Sequence, residues 1–552
     1  MPDKQRRPET RTDPRRMPQA YPSEVGTGWS VWRPLHVPMF RNLLVADLVS
    51  DMGTFMQGVG AAWLMVSQGA GPLLVALTQA ASAFPFFLLA LPAGALGDIF
   101  DRRKLILTTE VWMFFVGVAL AILTVLHLVT PWTLLLLTLA LSIGDALEAP
   151  TWRAVLPELV PHEGLMPAIA LNGIEFNLAR AIGPALGGFL IVAAGIGTVF
   201  WLNAASYLGV LWVIARWKRR PPNQRGSLRE TVPGAIRAAI RYTRNAPEIL
   251  TVLGRIGCIM FFASVFWALL PTVAHELRQS ATLYGLLLAV FGAGAVIGAM
   301  ALQRNRSLFS SDALLALGTT VFAGALWGVA ALKSVALLSV AILFGGAAWT
   351  AIMSLMTTVM QNLAPDWVRA RAMAVFMLIY MGTWTVGSTF WGYVASRHGT
   401  HFSFITASIG TALCPILVLI SRLPDTPVDL GAWDHWGKPM LVGEVDPSQG
   451  PVLVAVEYEV EPSKADEFLE ALHRFARVRR RDGASRWGVY RDTEHPAHYV
   501  ETFIVESWAE HLRQHERLTR GDRDLEESVR RFESKPVRVR HFIYARNKRA
   551  RR

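Results

Sequence analysis

Apolar segments of about twenty residues recur almost without interruption between Phe40 and Ile420. A helix needs roughly 20 apolar residues to cross a hydrocarbon core of about 30 Å, because each residue adds about 1.5 Å. Only 17% of the chain is charged and 52% is hydrophobic, so these segments are not the helices of several soluble domains. Twelve transmembrane helices are predicted at 40–66, 72–96, 104–127, 132–152, 165–193, 198–216, 247–275, 282–303, 311–331, 335–362, 369–396 and 401–421.

The positive charge predicts the orientation of these helices and not a nucleic-acid partner. The net charge is +12, but residues 422–552 hold 24 Lys and Arg against 23 Asp and Glu, so the excess lies in the apolar part. With a cytoplasmic N-terminus, the outer loops contain only Arg278, Lys333 and Arg397, whereas the inner loops contain Arg102, Arg103, Lys104, Arg153, the basic cluster 216–244, Arg304, Arg306, Arg369 and Arg371. Because cytoplasmic loops carry an excess of basic residues, both termini are predicted to be cytoplasmic.

A long basic connection divides the twelve helices into two groups of six. Such symmetry is typical of secondary transporters whose two pseudo-repeated halves enclose a central cavity. The predicted fold is an all-α membrane protein with a C-terminal α+β soluble domain. Its segments are a disordered basic tail (1–33), a first half (34–216), a cytoplasmic basic linker (217–246), a second half (247–424), a linker (425–450), the soluble domain (451–546) and a basic tail (547–552).

The loop after the second helix, residues 94–104, combines small, acidic and basic residues. Gly94 allows a neighbouring helix to approach closely, while Asp98, Arg102 and Arg103 can form charge-assisted bonds to helix ends on the cytoplasmic face. The usual excess of basic residues in cytoplasmic loops explains the two arginines, but it explains neither Gly94 nor Asp98. The loop is therefore interpreted as a latch that stabilises one of two conformers.

The fifth helix contains Gly183, Pro184, Gly187 and Gly188. Proline removes a backbone hydrogen bond and bends the helix, and glycines four residues apart form a face on which another helix packs closely. This pattern predicts a hinge or a seal between helices, with a simple packing face as the alternative.

Together, these two motifs resemble the major facilitator superfamily, and the glycine-proline motif resembles that of its exporters and antiporters. The loop departs from the family pattern at Asp101, where a second glycine is usual. The branch that the chain resembles over about residues 34–545 is that of enterobactin-exporter-like, or transmembrane secretion effector, transporters. The resemblance implies export of small molecules such as drugs or siderophores across a bacterial inner membrane. It rests on Asn172–Gly188, Pro157–Val160, Pro365–Asp366 with Arg369 and Arg371, and the appended domain.

Four charged residues within the apolar helices are candidates for proton coupling. The chain contains no P-loop signature, so uphill transport would depend on an ion gradient, and proton coupling needs an acid inside an apolar helix. Asp47 and Asp51 share one helix face, and Glu175 and Arg180 lie on the fifth helix. We expect Asp51 and Glu175 to line the central cavity and to exchange a proton, with Arg180 as an alternating counter-ion. In the alternative, Asp47 lies at the interface and Arg180 bonds to carbonyl groups at the bend.

Other polar and aromatic residues have weaker predicted roles. The acids nearer the cytoplasmic helix ends, Glu110, Asp145 and Glu148, are expected to be interfacial. Ligand pockets are commonly lined by aromatic side chains, so the candidates for the substrate cavity are Trp63, Trp267, Tyr380 and Trp384.

The C-terminal segment predicts strands at 452–460, 486–491, 498–506 and 537–545 and helices at 463–480 and 508–532. This β-α-β-β-α-β order is typical of a ferredoxin-like unit. The domain resembles the antibiotic-biosynthesis-monooxygenase type, which implies pairing of two copies through their sheets. His511 and His515 share a helix face, but without an evident third ligand they are interpreted as a solvated surface and not a metal site.

The sequence as a whole predicts a proton-coupled exporter with no cofactor, no metal and no catalytic residues. The alternatives are a facilitator or importer without proton coupling, and a bifunctional protein with an oxygenase-like C-terminal domain.

Overall fold

The computed structural model describes residues 32–218, 232–278, 280–305, 309–424, 429–431 and 445–545. Within predicted segments, residues 1–31 of the N-terminal tail, 219–231 of the basic linker, most of the 425–450 linker and the tail 547–552 lie outside these ranges.

Long helices account for nearly all of the apolar part of the chain. They are α1 Pro38–Ser67, α2 Pro72–Ile99, α3 Arg102–Val125, α4 Pro131–Leu159, α5 Leu165–Ala194, α6 Ile196–Arg216, the short α7 Val232–Arg244, α8 Pro247–Arg278, α9 Ala281–Asn305, α10 Ser311–Ala331, α11 Val335–Leu363, α12 Asp366–His398 and α13 Thr400–Leu413. Within the described ranges, eleven helices are long and apolar enough to cross a membrane. The predicted first span corresponds to α1, which is not one of these eleven helices. The 30 residues of α1 include the polar Asp47, Asp51 and Gln57.

The two groups of six helices pack in the same way. In the first group α1 packs against α5 and α6, α2 against α4, and α3 against α6. The equivalent pairs of the second group, α8 with α12 and α13, α9 with α11, and α10 with α13, are also in contact. The groups meet where α5 packs against α9 and α2 against α12, which are again equivalent pairs.

The outer surface of the helical part is strongly apolar. Phe115, Trp132, Leu136 and Phe189 are each at least 60% exposed, although these residue types are usually buried in soluble proteins. Lipid chains would cover such side chains, and backbone polar groups are already paired within the helices. Together with the eleven apolar helices, this surface identifies a multi-pass membrane protein.

The C-terminal domain is a four-stranded antiparallel sheet with helices on one face. Its strands are β1 Val452–Glu459, β2 Ser485–Arg491, β3 His498–Val505 and β4 Arg538–Ile543, in the order β2-β3-β1-β4. In register, Val454 lies opposite Phe503 on β3 and His541 on β4. The core between sheet and helices includes Phe468, Phe475 and Phe503, each almost fully buried.

The prediction of one helix at 508–532 was wrong. This segment comprises α15 Trp508–Arg517 and α16 Arg523–Arg530, while the predicted first helix is α14 Ala465–Asp482. The break occurs because Thr519 and Asp522 form a reciprocal capping box that starts a new helical turn.

Candidate functional site

Two glycines of the predicted exporter motif bring α5 against α1. A Cβ atom placed on Gly183 would lie 2.8 Å from the Cβ atom of Phe55, and one on Gly187 would lie 3.0 Å from the Cα atom of Met56. Both distances are shorter than ordinary van der Waals contact. Gly183 and Gly187 therefore allow close packing within the first half.

Gly188 faces the opposite direction and contacts the second half. A Cβ atom on Gly188 would lie 2.7 Å from the carbonyl oxygen of Ala281 and 3.0 Å from the Cα atom of Gly285 on α9. Farther along the same pair of helices, a Cβ atom on Gly292 would lie 3.0 Å from the Cα atom of Ala181. The residues beside Pro184, which stands inside α5, thus form a glycine seam between the two halves.

The equivalent helix α12 forms a second seam. Gly387 packs against the backbone of Phe261 on α8, whereas Gly392 packs against Leu73 and Ala76 at the beginning of α2. Gly382 packs against the ring of Phe87, also on α2. Each half therefore contributes one glycine-containing helix that contacts its own half on one side and the other half on the opposite side.

Glu175 is a buried carboxylate that lies beside other acids. It is only 5% exposed, and its side chain interacts by a hydrogen bond with another carboxylate, that of Asp47. It lies within electrostatic range of Asp47 and Asp51, so the structure brings together three of the four coupling candidates. Burying an ionised carboxylate among other acids is costly, which makes this group a candidate for proton exchange.

Three further acids belong to the same cluster. Glu110 and Glu148 are buried and lie near each other, and Asp145 interacts electrostatically with Asp51. The hydroxyl group of Thr109 donates a hydrogen bond of 2.6 Å to Glu148. Sequence reasoning placed these acids at the interface because it could not show that α4 packs against both α1 and α3.

A polar group on α6 borders this acid cluster. The amide of Asn203 donates hydrogen bonds to Gln57 of α1 and to the hydroxyl oxygen of Tyr207, the second over 3.1 Å. Tyr207 in turn interacts electrostatically with Asp145 and Glu110. Sequence analysis missed Gln57 and Asn203. The signal that could have identified them is the presence of a polar residue within an apolar span.

Arg180 points away from Glu175, the one acid on its own helix. Five residues separate it from Glu175, which corresponds to a rotation of about 140° around a helix axis. Its electrostatic neighbour is Tyr380 on α12 of the other half. The structure therefore separates Arg180 from the acid cluster and places it between the two halves.

Three of the four cavity candidates lie together in the second half. The ring of Trp384 is 5.1 Å from that of Trp267 and 5.7 Å from that of Tyr380, measured between ring centroids. Trp349 extends this group, 4.7 Å from Trp267. The fourth candidate, Trp63, lies apart from them and contacts His275 of α8 across the two halves.

The arginines of the predicted loop motif bind the ends of two helices. Arg102 donates hydrogen bonds to the carbonyl oxygen of Ala154 and to Glu158 in the last turns of α4. Arg103 donates to two carbonyl oxygens at the end of α6, those of Ile214 and Ala215. The same loop places Asp101 as the N-cap of α3, whereas the surroundings of Gly94 and the side chain of Asp98, both in α2, lie outside the described part.

Residues 29–549 match the family described as transmembrane secretion effector, a branch of the major facilitator superfamily. The chain belongs to this family. It is therefore a transporter of small molecules, which agrees with the prediction that it is not an enzyme.

Relatives of this secretion effector include named exporters. The enterobactin exporter EntS of Shigella boydii is 26% identical over 72% of the chain and 96% of its own length. The multidrug efflux pump Tap of Mycolicibacterium fortuitum is 23% identical over 69% and 95%. The MFS-type transporter YfiS of Bacillus subtilis is 27% identical over 49% of the chain and 66% of its own length.

Solved structures show the same fold at low identity. The nucleoside transporter NupG, as a D323A mutant, has a TM-score of 0.59 at 9% identity and covers 69% of the chain and 99% of its own. A bacterial homologue of the lysosomal transporter Spinster has a TM-score of 0.55 at 13% identity and covers 70% and 96%.

The C-terminal domain of this secretion effector docks on α7 and on the beginning of α12. Arg517 stacks over the ring of Trp367, with 4.4 Å from its Cζ atom to the ring centroid, and donates a hydrogen bond of 2.6 Å to Glu510. Glu510 also accepts a hydrogen bond of 2.9 Å from Arg241 of α7. Burial opposes ionisation of Glu510, but the neighbouring arginines, Arg517 first, hold its pKa below the usual value. The carboxylate therefore stays charged at neutral pH.

We expect Arg517→Met to weaken this docking. The side chain is 4% exposed, and removing one partner of a buried charge pair typically costs about 2–5 kcal/mol. Hydrogen exchange should accelerate in residues 234–244 of the full chain, while strands β1 and β3 keep their protection. Arg523→Met, which breaks an exposed pair with Glu527, is the control. Unchanged exchange in 234–244 would contradict a role of Arg517 in docking.

Proposed function

We propose that this secretion effector is a proton-coupled exporter of drug-like or siderophore-like compounds in a bacterial inner membrane. The observation that carries the proposal is the burial of Glu175 beside two other acids, Asp47 and Asp51. Its relatives named as an enterobactin exporter and a multidrug efflux pump support the direction and the substrate class.

The proposal includes twelve spans, with α1 as the first and both termini in the cytoplasm. In this orientation α1, α5, α8 and α12 end at the outer face. The contacts of Gly188 with Ala281, Gly392 with Leu73, and Trp63 with His275 all lie toward that end. These contacts support a conformer that is closed on the outside, from which a substrate would enter from the cytoplasm.

A ferredoxin-like, monooxygenase-type assignment of the C-terminal domain is part of the same proposal. The strand order β2-β3-β1-β4 supports it. The face of this sheet opposite the helices exposes Leu453, Phe542 and Tyr490, which favours pairing of two copies through their sheets. A monomeric mass of the purified protein at micromolar concentration would contradict this pairing.

Efflux from vesicles tests the proposed activity. We expect an imposed pH gradient to accelerate the export of at least one compound in a panel of dyes, antibiotics and siderophores, and an uncoupler to abolish this acceleration. Movement down the substrate gradient at the same rate with and without the uncoupler would favour the alternative of a facilitator. Chemical conversion of the compounds by the purified chain would favour the oxygenase alternative.

A further inference from the structure

The C-terminal domain contains a cavity between its sheet and the helices α14 and α15. Its volume is about 430 Å³, including the part open to solvent. Half of its lining is apolar and half can form hydrogen bonds. The apolar side chains are Val454, Val456, Val478, Phe503, Leu518 and Val539, and the polar ones are Arg479, Asp482, His511, Gln514, His515 and His541.

Two buried nitrogen atoms of this lining, Nε2 of Gln514 and Nε2 of His541, lack a hydrogen-bond partner in the described part of the chain. The imidazole of His511 interacts by a side-chain hydrogen bond with Gln514. A buried polar atom without a partner is unfavourable, so two around one cavity require an explanation. His511 is only 3% exposed, and the expectation of a solvated histidine surface was therefore wrong.

The charges around the cavity are already compensated. Arg479 pairs with the fully buried Glu501, and Asp482 pairs with Arg481. Burial, followed by the nearby His515 and His541, lowers the pKa of His511 to about 3, so its ring is neutral at physiological pH. A charged ligand would have to lose its hydration without gaining an opposite charge, which favours a neutral one.

We propose that this cavity binds a neutral single-ring aromatic ligand with a hydroxyl group, a phenol, at a site separate from the transport pathway. The ring would pack between Phe503 and the valine side chains. Its hydroxyl group both donates and accepts hydrogen bonds, so it suits the amide of Gln514, which donates, and the neutral imidazoles of His511 and His541, which do either. In the described ranges, no group of three or more His, Cys, Asp or Glu side chains is arranged to hold a metal ion.

The position of the cavity connects its occupancy to the membrane helices. The helix α15 lines the cavity with His511 and Gln514 and contacts the membrane part with Glu510 and Arg517. Asp482 also connects the two regions, because the residue lines the cavity and its carbonyl oxygen accepts a hydrogen bond of 2.9 Å from Arg517. A ligand that fixes α15 therefore strengthens the docking on α7 and α12.

Phenol binding to the full-length protein in nanodiscs tests the site. We expect saturable binding that Gln514→Leu weakens about tenfold, which corresponds to about 1.4 kcal/mol for a lost hydrogen bond, and that Val539→Phe also weakens by filling the cavity. His473→Gln, on the exposed face of α14, should bind as the wild type does. The variants are compared only where their thermal unfolding matches that of the wild type.

Several outcomes would overturn the assignment. They are the absence of saturable phenol binding, equal binding by Gln514→Leu, tighter binding of benzoate than of phenol, or one-to-one Zn²⁺ binding that excludes phenol. Coupling to the membrane helices predicts that phenol slows hydrogen exchange in residues 234–244, and unchanged exchange at saturation would overturn that part. Glu175→Gln should bind phenol normally, so a failure of the proton-coupled mechanism and a failure of this site are distinguishable.

Discussion

Replacing Gly188 by Leu is expected to reduce transport by roughly tenfold or more. The backbones of α5 and α9 approach so closely at Gly188 and Gly285 that even a Cβ atom would lie within 3.0 Å of two backbone atoms. Overpacking typically costs about 1–3 kcal/mol, and about 1.4 kcal/mol changes a conformational equilibrium tenfold. The substitution should therefore disfavour the conformer in which this end of the bundle is closed.

The same helix offers a matched control for this prediction. A Cβ atom on Gly173 would contact no other atom within 4 Å, so Gly173→Leu should transport normally. Thr282→Cys, in a background with Cys258 and Cys414 replaced by Ala, reports on the seam directly. A membrane-impermeant maleimide should label this cysteine faster in the Gly188→Leu variant. Wild-type transport by Gly188→Leu would show that the two helices need not come together.

Glu175→Gln is expected to remove the effect of a pH gradient on efflux. The amide keeps the size of the side chain but cannot exchange a proton, so the gradient could no longer drive export through this group. Efflux with the gradient should fall to the rate measured without it, while exchange of labelled for unlabelled substrate continues. Asp51→Asn should show the same loss, because Asp51 lies in the same acid cluster.

Glu163→Gln serves as the control for this second prediction. Glu163 is exposed in a short turn before α5, so the change removes a carboxylate without affecting the cluster. If both Glu175→Gln and Asp51→Asn retained full gradient-driven efflux, neither acid would couple protons to transport. Testing Glu148→Gln and Asp145→Asn would then identify whether another member of the cluster does so.

Sequence reasoning located the helices well because membrane insertion imposes a strong local rule. The predicted span 311–331 and helix α10 coincide, and most other predicted ends differ from the observed ones by only a few residues. Turn chemistry was harder to detect, as the break between α15 and α16 demonstrates. A capping box formed by Thr519 and Asp522 outweighed the helical pattern on both sides of it.

The glycine-proline motif shows that a sequence pattern can predict close packing without identifying the helices that pack. Its small residues predicted close packing, but only the packed helices revealed that Gly183 and Gly187 face α1 while Gly188 faces α9. Likewise, Glu175 and Arg180 lie on one helix, yet they interact with different halves of the protein. Spacing along a helix gives the direction of a side chain, but not the identity of the helix it meets.

The sequence by itself determined that the chain crosses a membrane many times and which charged residues lie in apolar surroundings. These properties follow from the hydrophobic effect and backbone hydrogen bonding, which act locally along the chain. Only the tertiary structure decided that six acids form one cluster, that Trp63 lies apart from the other aromatic candidates, and that α15 connects a cavity to the membrane helices. Those relations depend on contacts between residues far apart in the sequence, and local patterns do not specify such contacts.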